Sequence, residues 1–186
     1  MIILLMLIIL YFILIGVYIK NAKHRDSFIL WSLFMVFAYL ILLIVFQCDL
    51  KINDYPDGVF GSDAAYYYKQ SINLLESSDL MKDVISINNQ NGYTCWSALI
   101  LATSFSRDVV WIKLCNILLF MHILLSLYII LKKANFPEKY CYLALLLIAG
   151  NGAIAWTVIR NLKDILIVFL IIESILIIDK LFAYEY

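Results

Sequence analysis

The sequence predicts an all-α protein, a polytopic transmembrane bundle of about five spans with one external loop carrying an amphipathic interfacial helix, and three observations predict it. Of 186 residues 65% are hydrophobic and 15% charged, with a mean hydropathy of +0.92, outside the range of water-soluble domains. The apolar residues fall in long runs separated by short basic connectors. A single sizeable polar stretch, 48–93, interrupts the runs and is rich in Asp. Fourteen Lys+Arg balance fourteen Asp+Glu, so there is no net basic field to hold nucleic acid. Two Pro and six Gly are too few for a fibrous or disordered chain.

The first span is Met1 to Ile19, an uncharged run that covers about 28 Å at 1.5 Å per residue, close to the hydrocarbon thickness. It lacks the basic start and small-residue cleavage site of a signal peptide, so it is expected to stay attached. Phe28 to Gln47 is the second span. The connector before it carries Lys20, Lys23 and Arg25 against Asp26, and the positive-inside bias places it in the cytoplasm with the N-terminus outside. Residues 1–47 thus form two N-terminal spans. Residues 48–106 form the external loop, in which 63–76 is an amphipathic helix and Thr94 to Phe105, too short to cross, is re-entrant or interfacial.

Residues 107–186 hold three more spans. Val109 to Leu131 is followed by Lys132, Lys133 and Lys139 around Pro137, a basic turn that returns the chain to the cytoplasm. Tyr140 to Ile159 is the fourth span, Arg160 to Asp164 an external turn, and Ile165 to Ile178 the fifth. The four cysteines, Cys48, Cys95, Cys115 and Cys141, stand singly with no zinc-ligand spacing. A bridge between Cys48 and Cys95 is not expected.

Sidedness brings two polar clusters together: the stretch from Asp54 to Tyr68 and the turn Arg160-Asn-Leu-Lys-Asp164. Asp63 in the first turn of the amphipathic helix reads either as a helix cap or as a catalytic acid or base. Asp54 and Asp57 around Pro56 and Gly58 suit a tight turn. Arg160 and Lys163 read either as interface anchors or as an anion clamp for a phosphate, with Asp164 orienting Arg160 or capping the fifth span. Three ionisable residues fall inside spans: Lys113, near enough to the external end to snorkel, His122, suited to a hydrogen bond between helices, and Glu173, which requires a polar partner on another helix or in a larger assembly.

In layout the chain resembles the membrane glycosyltransferases of the GT-C type, relatives of the protein mannosyltransferases. The resemblance covers roughly 28–178 and rests on Gly61-Ser62-Asp63-Ala64-Ala65-Tyr66-Tyr67, then Asn91-Gly92-Tyr93 leading into Trp96, then Arg160-x-x-Lys163-Asp164 before a further span. It departs from that layout by one additional N-terminal span and by the absence of the second half of such enzymes, so the chain is expected to be an N-terminal portion. The additional span is similar instead to the polysaccharide repeat-unit polymerases. The resemblance implies a polyprenyl-phosphate-linked sugar as donor and an acceptor hydroxyl on the external face. Asp63 would be the general base, Arg160 and Lys163 would neutralise the leaving phosphate, and Tyr66 and Tyr67 would line the sugar or headgroup site. A divalent cation is left open, with Asp57, Asp63 and Asp164 as conceivable ligands. The rival expectation is a non-catalytic membrane subunit that packs against a larger partner through Glu173.

Overall fold

A computed structural model describes residues 1–53, 55, 58–77 and 91–183. Among the described residues the chain folds into eight helices and no strand. In chain order they are α1 (Ile2–Tyr18), α2 (Ala22–Ile52), α3 (Ser62–Glu76), α4 (Asn91–Ala102), α5 (Val110–Lys133), α6 (Glu138–Ala149), α7 (Gly152–Val158) and α8 (Asp164–Ala183). All four cysteines are free.

Two of these helices, α2 and α5, are long and apolar enough to cross a membrane, and the bent pair α6–α7 makes a third if counted as one span. Helix α1 is more apolar than α2 or α5 but has only 17 residues, and the expected fifth span lies inside α8. The basic connector before α2 is shorter than the sequence predicts. Asn21 caps α2 by accepting from the His24 amide at 3.3 Å, so the helix starts at Ala22 and takes in Lys23, His24 and Arg25.

The expected continuous helix over 140–159 is broken. After Gly150 the Asn151 side chain accepts from the amides of Ala153 and Ile154 at 3.0 and 3.2 Å, which starts α7 on a new axis bent by 67° from α6. The Ala149 carbonyl at the break is taken by the Tyr39 hydroxyl of α2 at 2.8 Å. A broken helix within an apolar bundle needs such a partner, because lipid offers none.

Helix α5 is the hub. Within its apolar window 72% of residues are buried inside the protein, against 28% for α2. Helix α5 is therefore surrounded by other helices, whereas α2 presents Leu33, Phe34, Phe37 and Ile44 outward and α8 presents Leu170 and Ile171. Surfaces of this kind suit lipid. Polar ties fix the helices to the hub: His122 Nε2 meets the Leu7 carbonyl of α1 at 3.1 Å. The Ser126 hydroxyl donates to the Glu173 carboxylate of α8 at 2.5 Å. Glu173 thus has a polar partner on another helix of its own chain, and His122 a helix-to-helix contact.

The bundle has two chemically different ends. At one, His24 pairs with Glu138, Lys133 pairs with Asp179, and the Lys180 ammonium lies 4.3 Å from the Tyr18 ring centroid. The two basic connectors therefore meet at one end. At the other stand the C-terminal part of α2, the N-terminal part of α5, α3, α4 and the α7–α8 turn, joined by hydrogen bonds described below.

Tyr39→Phe removes the partner of the Ala149 carbonyl while leaving the ring. We expect it to destabilise the fold by about 1 kcal/mol, read as a lower unfolding midpoint in a detergent titration; an unchanged midpoint would mean that the break is held by Asn151 alone.

Candidate functional site

The site is built on the turn between α7 and α8. Asn116 of α5 donates through Nδ2 to the Arg160 carbonyl at 2.9 Å and to the Leu162 carbonyl at 3.4 Å. Asn161, fully buried, accepts from the Tyr93 hydroxyl of α4 at 2.8 Å and donates to the Ala64 carbonyl of α3 at 3.1 Å. One asparagine thus locks the turn onto two helices far earlier in the chain, 97 residues back at Ala64 and 68 back at Tyr93. Burial holds the Tyr93 phenol above its ordinary pKa, so it stays a hydrogen-bond donor.

Arg160 reaches over the same seam. Its Nη2 donates to the Phe60 carbonyl at 2.9 Å, and its guanidinium carbon lies 5.5 Å from the ring centroids of both Phe60 and Trp156. The next residue, Gly61, has φ +88°, and a Cβ there would collide with Arg160 Nη2. A glycine at this position supplies both the left-handed backbone and the room for the guanidinium. Nε of Arg160 is buried and has no hydrogen-bond partner among the described residues.

Gly61 is also the N-cap of α3, with no side-chain cap bond, so Asp63 lies in the first turn and is not the cap residue. Its carboxylate is exposed, close to the positive end of the helix dipole. The chain thus places Asp63 within one helical turn of the Phe60 carbonyl that Arg160 holds. Tyr66 is 43% exposed, whereas Tyr67 is 3% exposed and packs edge-on against Tyr93 with centroids 5.1 Å apart. The Lys163 ammonium sits 5.9 Å from the Tyr67 ring centroid. Asp164 is exposed at the head of α8 and lines, with Thr157 and Ile165, an apolar groove of about 330 Å³ between α5, α7 and α8.

Sequence reasoning missed a second set of residues. Tyr55, Phe60 and Trp156 frame an open bay of about 430 Å³ with Asp49 and Asn53 on its polar side. The Phe60 and Trp156 rings of this bay are the two that Arg160 lies against. Lys113 is a correction: it does not snorkel to water but is 1% exposed, donating to the Gly58 carbonyl at 2.6 Å with the Phe46 ring centroid 5.0 Å away. The Gly58 carbonyl takes the place of water as its partner. Gly58 has φ +64°, and a Cβ there would stand 2.5 Å from Gln47 Oε1.

No group of three or more His, Cys, Asp or Glu side chains among the described residues could hold a metal ion. Asp54 and Asp57 lie outside the described residues, and no step is derived through a cation. The signal for Asn116 and Asn161 was present as one polar residue inside the third apolar run and one in the turn before the fifth, but their partners in the turn, on α3 and on α4 are named by no sequence pattern.

Comparison with protein-family models, with curated proteins and with solved structures finds no match to this chain.

Gly61→Ala combines a strained backbone with a collision against Arg160, and we expect it to cost about 2 kcal/mol of stability. In an Arg160→Ala background the same change should cost about 1 kcal/mol, since only the backbone penalty remains. A double-mutant cycle of unfolding midpoints measures the difference; strict additivity would show that the two groups do not press on each other.

Proposed function

We propose that the chain crosses the membrane five times, through α1, α2, α5, the bent α6–α7 pair and α8, and is all or part of a glycosyltransferase. In this reading a sugar passes from a polyprenyl-phosphate donor to an acceptor hydroxyl on the external face. The observation that carries it is the Arg160 bond to the Phe60 carbonyl, at 2.9 Å, which joins the cationic turn to the backbone leading into Asp63. An acid and a cation distant in sequence thereby share one end of the bundle. The sidedness follows from the opposite end, where the two basic connectors meet through the His24–Glu138 pair; the positive-inside bias makes that end cytoplasmic and the Asp63 end external.

Asp63 takes the proton of the acceptor hydroxyl. The acceptor oxygen then attacks the anomeric carbon as the bond from that carbon to the phosphate oxygen breaks, and the electron pair leaves with the polyprenyl phosphate. Configuration inverts at that carbon. Arg160 and Lys163 face the negative charge that grows on the leaving phosphate, where a preorganised cation lowers the barrier most. The bay framed by Tyr55, Phe60 and Trp156, with Asp49 and Asn53 at its edge, offers apolar ring faces and hydrogen-bonding groups of the kind a sugar uses. Tyr66 stands on the exposed side of α3.

A second reading is favoured by one specific observation: Arg160 already spends a donor on a backbone carbonyl and stacks on two rings, as a purely structural arginine would. On that reading the chain is a non-catalytic membrane subunit.

The two separate in proteoliposomes holding the full chain and a labelled polyprenyl-phosphate sugar. Asp63→Asn is expected to lower transfer by roughly 10²- to 10⁴-fold with an unchanged unfolding midpoint. Transfer unaffected by this substitution would remove Asp63 from the mechanism, and a folded wild type without transfer would favour the subunit.

A further inference from the structure

The end of the bundle opposite Asp63 holds a cavity of about 330 Å³ between the α1–α2 connector and the C-terminal turns of α5, within the range of small-ligand sites. Lys20, His24, Lys132 and Lys133 line it, with Tyr18 and Tyr128 as apolar walls. Positive-inside bias explains why each connector is basic, but it does not require cations from both to face one hollow. The carboxylates beside the cavity are already engaged: Glu138 pairs with His24 and Asp179 pairs with Lys133. Among the described residues neither Lys20 nor Lys132 has an ion pair, and the Lys132 ammonium reaches the Phe136 carbonyl at 3.5 Å. Lys180, over the Tyr18 ring at 4.3 Å, adds a further cation at the rim.

The backbone points the same way. Asn21, which also lines the cavity, is the N-cap of α2, so the positive dipole end of a 31-residue helix opens beside it. The facing C-terminus of α5 is blunted, because the amides of Ala134, Asn135 and Phe136 take up the carbonyls of Ile130, Lys132 and Leu131. Helix α1, which ends here, and α2, which begins here, carry outward-facing apolar chains such as Ile13, Val17, Leu30 and Leu33 along the adjoining turns. A hollow with cations at its mouth and lipid-suited walls beside it matches one ligand.

We propose that this cavity binds the phosphate headgroup of an anionic phospholipid, its acyl chains lying along the outer faces of α1 and α2. The site is separate from Arg160 and does not depend on the glycosyl-transfer reading.

The test uses the purified full chain in neutral detergent, with thermal unfolding as readout. Short-chain phosphatidylglycerol should raise the midpoint by about 4 °C, and phosphatidylcholine of the same chain length should not. The Lys20→Gln/Lys132→Gln pair should lose that rise, whereas Lys51→Gln/Lys69→Gln, at the other end of the bundle, should keep it. Should the double variant fail to fold, Lys132→Gln alone is expected to lose about half of the rise. A rise that persists in the Lys20/Lys132 variant, or an equal rise with phosphatidylcholine, overturns the proposal. An equal rise with inorganic phosphate overturns the lipid assignment in favour of a free anion.

Discussion

The bundle depends on side chains from neighbouring helices supplying partners to backbone carbonyls at its irregular points. The sharpest case is the turn between α7 and α8, whose carbonyls at Arg160 and Leu162 are taken by Asn116 of the central helix. Asn161 then uses both ends of its amide to hold α3 and α4 against the same turn. Where the group is buried, as at Asn161, losing such a bond exposes its desolvation cost. The same logic accounts for Tyr39 at the break after α6 and for Lys113 beneath Gly58. Irregular backbone persists where side chains from neighbouring helices complete it.

This constraint also arranges the chemistry. The seam closed by Asn161 is the one across which Arg160 lies, so the groups that position the turn bring the guanidinium onto residues 60 and 61. From there α3 begins, with Asp63 in its first turn. The far end of the bundle differs in kind, being organised by ion pairs at the ends of long helices rather than by buried amides. One end is therefore tied together by buried amides, and the other holds an open basic hollow.

Much of the candidate site was legible in the chain, and the rest was hidden for identifiable reasons. Gly61-Ser62-Asp63 before a helical spacing signalled α3 and placed Asp63 in its first turn, as the structure has it. The buried face of α3 runs through Ala64, Tyr67, Ser71 and Leu74, whereas Tyr68, Ile72 and Leu75 are half-buried. The packing of α4 decides this, since Ser71 reaches the Thr94 carbonyl at 3.2 Å and Tyr67 meets the Tyr93 ring. Tyr67 consequently belongs to the core and Tyr66 to the surface. The aromatic bay escaped notice because Tyr55, Phe60 and Trp156 come from two segments far apart in the chain.

Composition and periodicity determined by themselves that this is an all-helical chain with apolar helices suited to a bilayer, because hydropathy and helical spacing are local properties written residue by residue. Only the tertiary structure decided where a long apolar run breaks, as at Gly150 and Asn151, since average hydropathy cannot see a side-chain cap. It alone decided that α5 is enclosed while α2 faces outward, and that Lys113 is buried under a carbonyl. Which polar groups meet depends on how helices cross, and in an apolar bundle the sequence names the donors without naming the carbonyls they must find.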